Sequence, residues 1–287
     1  MKFDELDAQM RVYEESVDFC VLPNIYIVAR LDGRSFTSLT KKRGNFEAPF
    51  DVKFRDLMVE TTKHLMNCGF KVAYACTESD EISLLFDFEI NVFGRKMRKY
   101  TSILAGEASA KFSLLFGKIG IFDCRICQLP NEKIVIDYFR WRNEDANRNA
   151  LNSHCYWMLR KEGHNERQAT KFLENKSVAE KNELLFSHGI NFNDLPNWQK
   201  RGVGLYWGKE QKLGFNPIEN VAVTVERNVI QIDYDLPMKE EYSAFILEIL
   251  HKQKHADNAE KTRMNADSFI CENPKSLRYL HDKNEKI

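Results

Sequence analysis

The chain has 287 residues, 43% apolar and 29% charged, a balance that suits a soluble globular protein and excludes disordered or collagen-like architecture. Lysine plus arginine (42) equals aspartate plus glutamate (42), so no global field marks a nucleic-acid binder, and any such role must rest on local patches. The N-terminal MKFDELDAQMR is acidic without an apolar h-region, and no run approaches the ~18 apolar residues of a membrane span, so a cytoplasmic protein with no membrane contact is expected.

The first strong signal is NIYIVARL, a continuous β-prone run of the kind covered on both faces, closed by Asp32 and Gly33. A basic, polar loop follows (Lys41, Lys42, Arg43, Gly44, Asn45). Pro49 then opens a helix that aligns Phe54, Leu57, Met58 and Leu65, and Gly69 stops it. FKVAYACT and ISLLF are strands joined by the polar turn Glu78 to Glu81, which predicts a hairpin. Tyr100, Ile103, Leu104, Ala108, Phe112 and Leu115 then fall at helical spacing before the strand IFDCRIC. The order β-α-β-β-α-β is the ferredoxin-like plan of an α+β domain, an antiparallel sheet backed by two helices. Many nucleotide-handling cores use it.

Past residue 130 the pattern is mainly helical from Asn131 to about Gly163, with Tyr138, Phe139 and Trp141 clustered and capping boxes at Asn165 and Ser177. Later segments, including VAVTVERNVIQIDY, are β-prone, and an amphipathic helix carries Tyr242, Phe245, Ile246, Ile249 and Leu250. The expected organisation is a catalytic core over residues 1–130, an appended, mainly helical lobe over 131–251 packed on it, and a charged tail over 252–287.

Asp32 at a strand end and Asp80 in the hairpin turn converge if these strands are neighbours. Close carboxylates repel unless a cation lies between them, and oxygen ligands of this kind, with the Gly33 carbonyl as a third, suit Mg²⁺. Two Mg²⁺ ions ~3.5–4 Å apart would clamp both oxygens of an in-line phosphoryl displacement. The run RKMRK places Arg95, Lys96, Arg98 and Lys99 at the start of the second helix, where cations and backbone amides favour a triphosphate, and Ser79 adds a hydroxyl. Each feature alone reads as a turn, a hairpin tip or a solvated helix face; their order in one frame points to a site.

The seven cysteines are scattered and odd in number, the habit of a reducing compartment, and Cys124 and Cys127 lie on a strand where residues three apart face opposite ways, so packed thiols are expected rather than zinc. A solvated face is expected for His251 and His255, and packing rather than RNA stacking for Trp141, Tyr156 and Trp157.

RLDGRSF, ESDEISLLF, FDCRICQLP, WRNEDANRNAL, KNELLF and INFNDLPNWQKRG, in this order and spacing over residues 5–207, resemble the tRNA-histidine guanylyltransferase superfamily of 3′-to-5′ nucleotide-adding enzymes. The resemblance implies a palm-type core in which Asp32, Asp80 and the Gly33 carbonyl hold two Mg²⁺ ions. It implies nucleotide contacts at Arg30, Arg34, Ser35, Phe36, Ser79, Arg95, Lys96, Lys99 and Arg125, and an active-site environment that includes Glu81, Lys181 and Asn182. It further implies ATP and GTP as substrates, a tRNA whose 5′ phosphate is activated before the 3′-hydroxyl of an incoming nucleotide attacks it, and a homotetramer.

The departures matter. Histidine-specific enzymes carry H-I-N-N-L-Y-N where this chain has Asn147 to Ser153, a lysine where it has Ala48, and a histidine where it has Thr37. PFD and D-x-x-R-N look instead like the bacterial and archaeal guanylyltransferase-like branch, so templated repair of 5′-truncated tRNA is the expectation and dedicated tRNA-histidine guanylylation the nearest alternative. A nucleotide cyclase on the same core and a non-catalytic tRNA-binding protein stand further off.

Overall fold

The computed structural model describes residues 1–216 and 220–252. The predicted tail over 252–287, with His255 in it, therefore falls almost wholly outside the described residues. Among those described, no helix is long and apolar enough to cross a membrane.

The chain begins with helix α1 (Phe3–Glu15), then strand β1 (Tyr26–Gly33), a single turn α2 (Phe36–Ser38) and a wider helical turn over Leu39–Arg43 where an open loop was expected. Helix α3 (Val52–Asn67) starts three residues past Pro49, because the Asp51 side chain caps it, accepting from the Lys53 and Phe54 amides at 2.6 and 3.2 Å. Strands β2 (Val72–Glu78) and β3 (Glu81–Phe86) form the expected hairpin, followed by α4 (Met97–Phe116) and β4 (Phe122–Leu129). These elements realise the ferredoxin-like order.

The later chain supplies α5 (Glu132–Lys161), α6 (Glu166–Leu173), α7 (Val178–Ser187), α8 (Asn197–Arg201), strands β5 (Val203–Asn216) and β6 (Val221–Asp233), and a helix α9 over residues 239–252. Both capping boxes form, at Asn165 before α6 and Ser177 before α7.

One antiparallel sheet runs in the order β4-β1-β3-β2-β5-β6. The chain after residue 130 thus adds two strands to the core's own sheet through the β2–β5 pairing, as well as helices around it. Alternation along β1 explains why both faces need cover: Ile27, Ala29 and Leu31 meet α3 and α4, while Tyr26 and Val28 meet α5 and α9. A third cluster joins the second half of α5 to α6 and α7.

Strand direction positions the chemistry. β1 ends, and β2 turns into β3, at one edge of the sheet, so Asp32 and Asp80 meet there. Because β3 then runs back to the far edge, α4 must begin at that far edge. The N-terminus of α4 is therefore a strand's length from the two acids.

Candidate active site

Asp32 pairs in register with Glu81 on β3 and Asp123 on β4, which sets three carboxylates side by side on the α5 face of the sheet. The Gly33 amide donates to the Asp80 carbonyl at 3.0 Å and holds the hairpin turn against the end of β1. Burial, then Glu81 and Asp123, raise the Asp32 carboxyl, with Arg30 and Arg125 opposing. Burial pushes Asp80 up to about 6, and the charges of Asp32 and Glu81 add to it. Ser79, in the left-handed region at φ 50°, donates its hydroxyl to Asp80 Oδ1 at 3.2 Å. Both expected acids thus share one end of the sheet.

Glu81 is held from two sides. Arg30 on β1 and Arg142 on α5 each donate to one of its oxygens, and Arg142 also reaches Asp145 at 3.2 Å. Arg142 is only 6% exposed, and its guanidinium also lies over the Trp141 ring, 4.9 Å from its centre. Glu78, beside them, is pushed up to about 8 by burial, with Arg142 opposing and Glu81 reinforcing.

A cleft of about 680 Å³ opens from this end. Its inner end is Thr77, Glu78, Ser79 and Asp80, and its walls include Phe36, Thr40 and Lys41 on one side and Asn152, Ser153, Tyr156 and Trp157 of α5 on the other. Arg55 of α3 also lines it, with its guanidinium between the rings of Trp198 and Tyr234 at 4.8 and 4.7 Å.

The remaining predicted residues divide by place. Arg34 is exposed and its amide donates to the Ile121 carbonyl at 2.8 Å; Ser35 is left-handed at φ 62°; Phe36 is buried, and its ring fills the space a Cβ on Gly33 would need, 2.5 Å away. Arg125, cross-strand from Arg30, lies 3.6 Å from Asp123 and is half exposed. These belong to the same end of the sheet.

Arg95, Lys96 and Lys99 do not, which corrects the expectation drawn from RKMRK. Arg95 is buried and donates to the carbonyls of Ile25 at 2.5 Å, Ile90 at 3.3 Å and Phe88 at 3.5 Å. Lys96 pairs with Asp18 at 2.6 Å, and Lys99 sits one turn into α4 at the same far edge. Lys181 and Asn182 also lie apart, on α7 behind α5, with the Asn182 amide donating to the Val178 carbonyl at 2.9 Å. Tyr156 and Trp157, expected to be packed, line the cleft. Cys124 and Cys127 face opposite sides as expected, and the six described cysteines are free.

Arg142, Glu78 and Arg55 were not singled out from sequence. A signal for Arg142 existed, since an arginine on the buried face of a helix requires an acid partner, but that partner is 61 residues away.

Residues 7–130 match the family described as tRNAHis guanylyltransferase, and residues 133–270 match the Thg1 C terminal domain. The tRNA(His) guanylyltransferase of Schizosaccharomyces pombe is 33% identical over 192 residues, covering 63% of this chain and 73% of that one. The probable tRNA(His) guanylyltransferase of Bos taurus is 30% identical over 211 residues, 69% of this chain and 70% of its own. Among solved structures, a bacterial Thg1-like protein in complex with ATP superposes with a TM-score of 0.68 at 22% identity, over 85% of this chain and 98% of that one, a likeness of fold. The tRNA(His) guanylyltransferase of Saccharomyces cerevisiae gives a TM-score of 0.63 at 28% identity over 68% and 91% of the two chains.

Proposed function

The chain belongs to the tRNA(His) guanylyltransferase family, and from that premise we propose that it is a nucleotidyltransferase acting as its relatives are named, adding guanylate to the 5′ end of tRNA(His). The observation that carries this reading is the convergence of Asp32 and Asp80 at one end of the sheet, with Asp80 at the inner end of a cleft of about 680 Å³.

Two carboxylates raised by burial and by neighbouring carboxylates, with the Gly33 backbone beside them, form an oxygen donor set that suits Mg²⁺. Among the described residues no group of three or more His, Cys, Asp or Glu side chains stands ready for a metal, and Mg²⁺ needs none, since it takes one or two carboxylates and fills the rest with water and phosphate oxygens. Asp32, Asp80 and Gly33 are the residues that would hold it. When bound there, Mg²⁺ neutralises charge on the phosphoryl oxygens of an in-line displacement. Arg125 offers a half-exposed guanidinium to those oxygens, while Arg30 and Arg142 hold Glu81 in place by pairing with it. ATP and GTP enter as substrates: the 5′ phosphate first attacks the α-phosphorus of a triphosphate and releases pyrophosphate, and the 3′-hydroxyl of the incoming nucleotide, giving up its proton, then attacks the activated 5′ phosphorus and displaces the nucleoside monophosphate.

An assembly of four copies in the cytoplasm is part of the same reading. Helix α1 buries none of its residues and leaves Phe3, Met10, Val12 and Tyr13 exposed, an apolar surface that a second copy would cover.

The composition of the cleft favours a second reading, templated repair of 5′-truncated tRNA. Ala48, Asn152 and Ser153 line the cleft, whereas His154 turns away to pack against Phe50 and Phe192, so no imidazole from this segment faces the substrate. Full-length and 5′-truncated tRNA(His), each incubated with GTP, ATP and Mg²⁺, separate the two. Guanylate added to the full-length species supports the first reading, and addition confined to truncated species, with the base chosen by the opposite strand, supports the second. No addition to either would sink both.

A further inference from the structure

The cleft has an outer end that the reaction at Asp32 and Asp80 leaves unused. Trp157, Arg160, Glu47 and Ala48 line both the main cleft and an adjoining cavity of about 460 Å³, where Lys161 joins them. Trp157 stands about 22 Å along α5 from Arg142, at ~1.5 Å per residue, and Arg142 is the residue that touches Glu81.

The chemistry of this outer end is that of a nucleotide seat. The Lys41 ammonium lies 5.3 Å from the centre of the Trp157 ring and 5.9 Å from that of Tyr156. Arg160 keeps a buried Nη1 without a hydrogen-bond partner, the nearest carboxylate oxygen being that of Glu166 at 3.7 Å. A phosphate oxygen would satisfy that nitrogen. A base stacked on an aromatic ring outweighs an exposed cation–π contact, so an arriving base displaces Lys41 from the ring and frees its charge for the phosphate beside it.

We propose that this outer end seats an unpaired nucleotide of the tRNA 3′ end, with its base on Trp157 and its phosphate against Arg160, Lys161 and the displaced Lys41. The inference rests on the proposed function, under which an acceptor end enters the cleft with its 5′ terminus at Asp32 and Asp80. The 3′ strand of an acceptor end continues past the paired 5′ terminus as a single strand, and single strands are where aromatic stacking acts. A free nucleotide would use the same ring and cations, so the test must tell the two apart.

The test compares equilibrium filter binding of two RNAs, a tRNA with its unpaired 3′ end and the same tRNA trimmed to its last paired nucleotide. Wild-type protein should bind the intact RNA about tenfold more tightly, the scale of one stacked base. Trp157→Ala should bring that ratio near one, Trp157→Phe should restore most of it, and Arg160→Gln should lower it part of the way. Saturating GTP should leave the ratio unchanged. Equal binding of the two RNAs by wild-type protein, or a ratio abolished by GTP, would overturn the proposal. If Trp157→Ala does not fold, Arg160→Gln and Lys41→Ala carry the same comparison. Binding is read without turnover, so a protein that added nothing to any tRNA would sink the proposed function and still leave this comparison to decide the seat.

Discussion

Arg142 on α5 and Glu81 at the start of β3 form an ion pair that ties the longest helix among the described residues to the hairpin carrying Asp80. Removing Arg142 leaves Glu81 with Arg30 alone and takes from Glu78 the larger of its two opposing charges, Arg30 being the other. Breaking a buried pair costs about 3–5 kcal/mol; with Arg30 still in place, Arg142→Ala should fall at or below the low end. Urea unfolding measures this. Arg142→Met combined with Glu81→Leu should recover part of the loss, and a double variant no better than the sum of its singles would show that the pair is not the unit.

Asp32→Ala and Asp80→Ala should each lower nucleotide addition by on the order of 10²-fold or more, the scale of lost electrostatic groups in a transition state. The fold should survive. Because burial and the charges of Asp32 and Glu81 raise the Asp80 carboxyl, Asp80→Asn should melt at or above wild-type temperature in chelator, and Mg²⁺ should raise the melting point of wild type more than that of the variant. Near-normal turnover in either alanine variant would remove these acids from the reaction.

How much of this was legible follows from the range of each signal. The β1 run, the hairpin and both capping boxes are local patterns, and their residues folded as read. So did the meeting of Asp32 with the hairpin turn, which follows from strand order. The RKMRK run misled because a helix N-terminus attracts phosphate in general, whereas strand direction puts this one at the opposite edge of the sheet. The Arg142–Glu81 pair and the outward face of Trp157 depend on how α5 crosses the sheet, which no periodicity within a helix polar on several sides reveals.

Arg95 therefore carries a prediction opposite to the one its sequence context suggests. Its guanidinium satisfies three carbonyls at the far edge of the sheet, so Arg95→Ala should destabilise the protein by about 1–3 kcal/mol through unsatisfied buried acceptors. Thermal unfolding reads the loss. The KM for GTP should stay near wild type at a temperature where the variant is folded, and a raised KM with unchanged stability would return Arg95 to the phosphates.

His154 gives the fold a pH dependence. Burial depresses its pKa below the ordinary imidazole value of 6.5, with Lys161 adding to this and Gln199 opposing. Below pH 6.5 the unfolded chain binds a proton that the native state resists, so the stabilisation is fully present above 6.5 and is lost as pH falls towards the lower native value. Melting temperatures between pH 7.5 and 5.5 should drop more steeply for wild type than for His154→Gln. Parallel curves would mean that the imidazole is protonated in place without cost.

Gly33 tests whether the turn after β1 has any room. A methyl group there would lie 2.5 Å from Phe36 Cγ, and the Phe36 ring is itself wedged against Phe112 and Phe122, each at 4.9 Å between centres. The ring cannot retreat, so Gly33→Ala should act as overpacking and cost about 1–3 kcal/mol. It should also displace the backbone that meets Asp80 and depress activity beyond what the lost stability explains. Phe36→Leu makes space for the methyl group, so the double variant Gly33→Ala with Phe36→Leu should regain stability relative to Gly33→Ala alone. If the double variant is instead less stable than either single change, the clash with Phe36 is not what fixes glycine at this position.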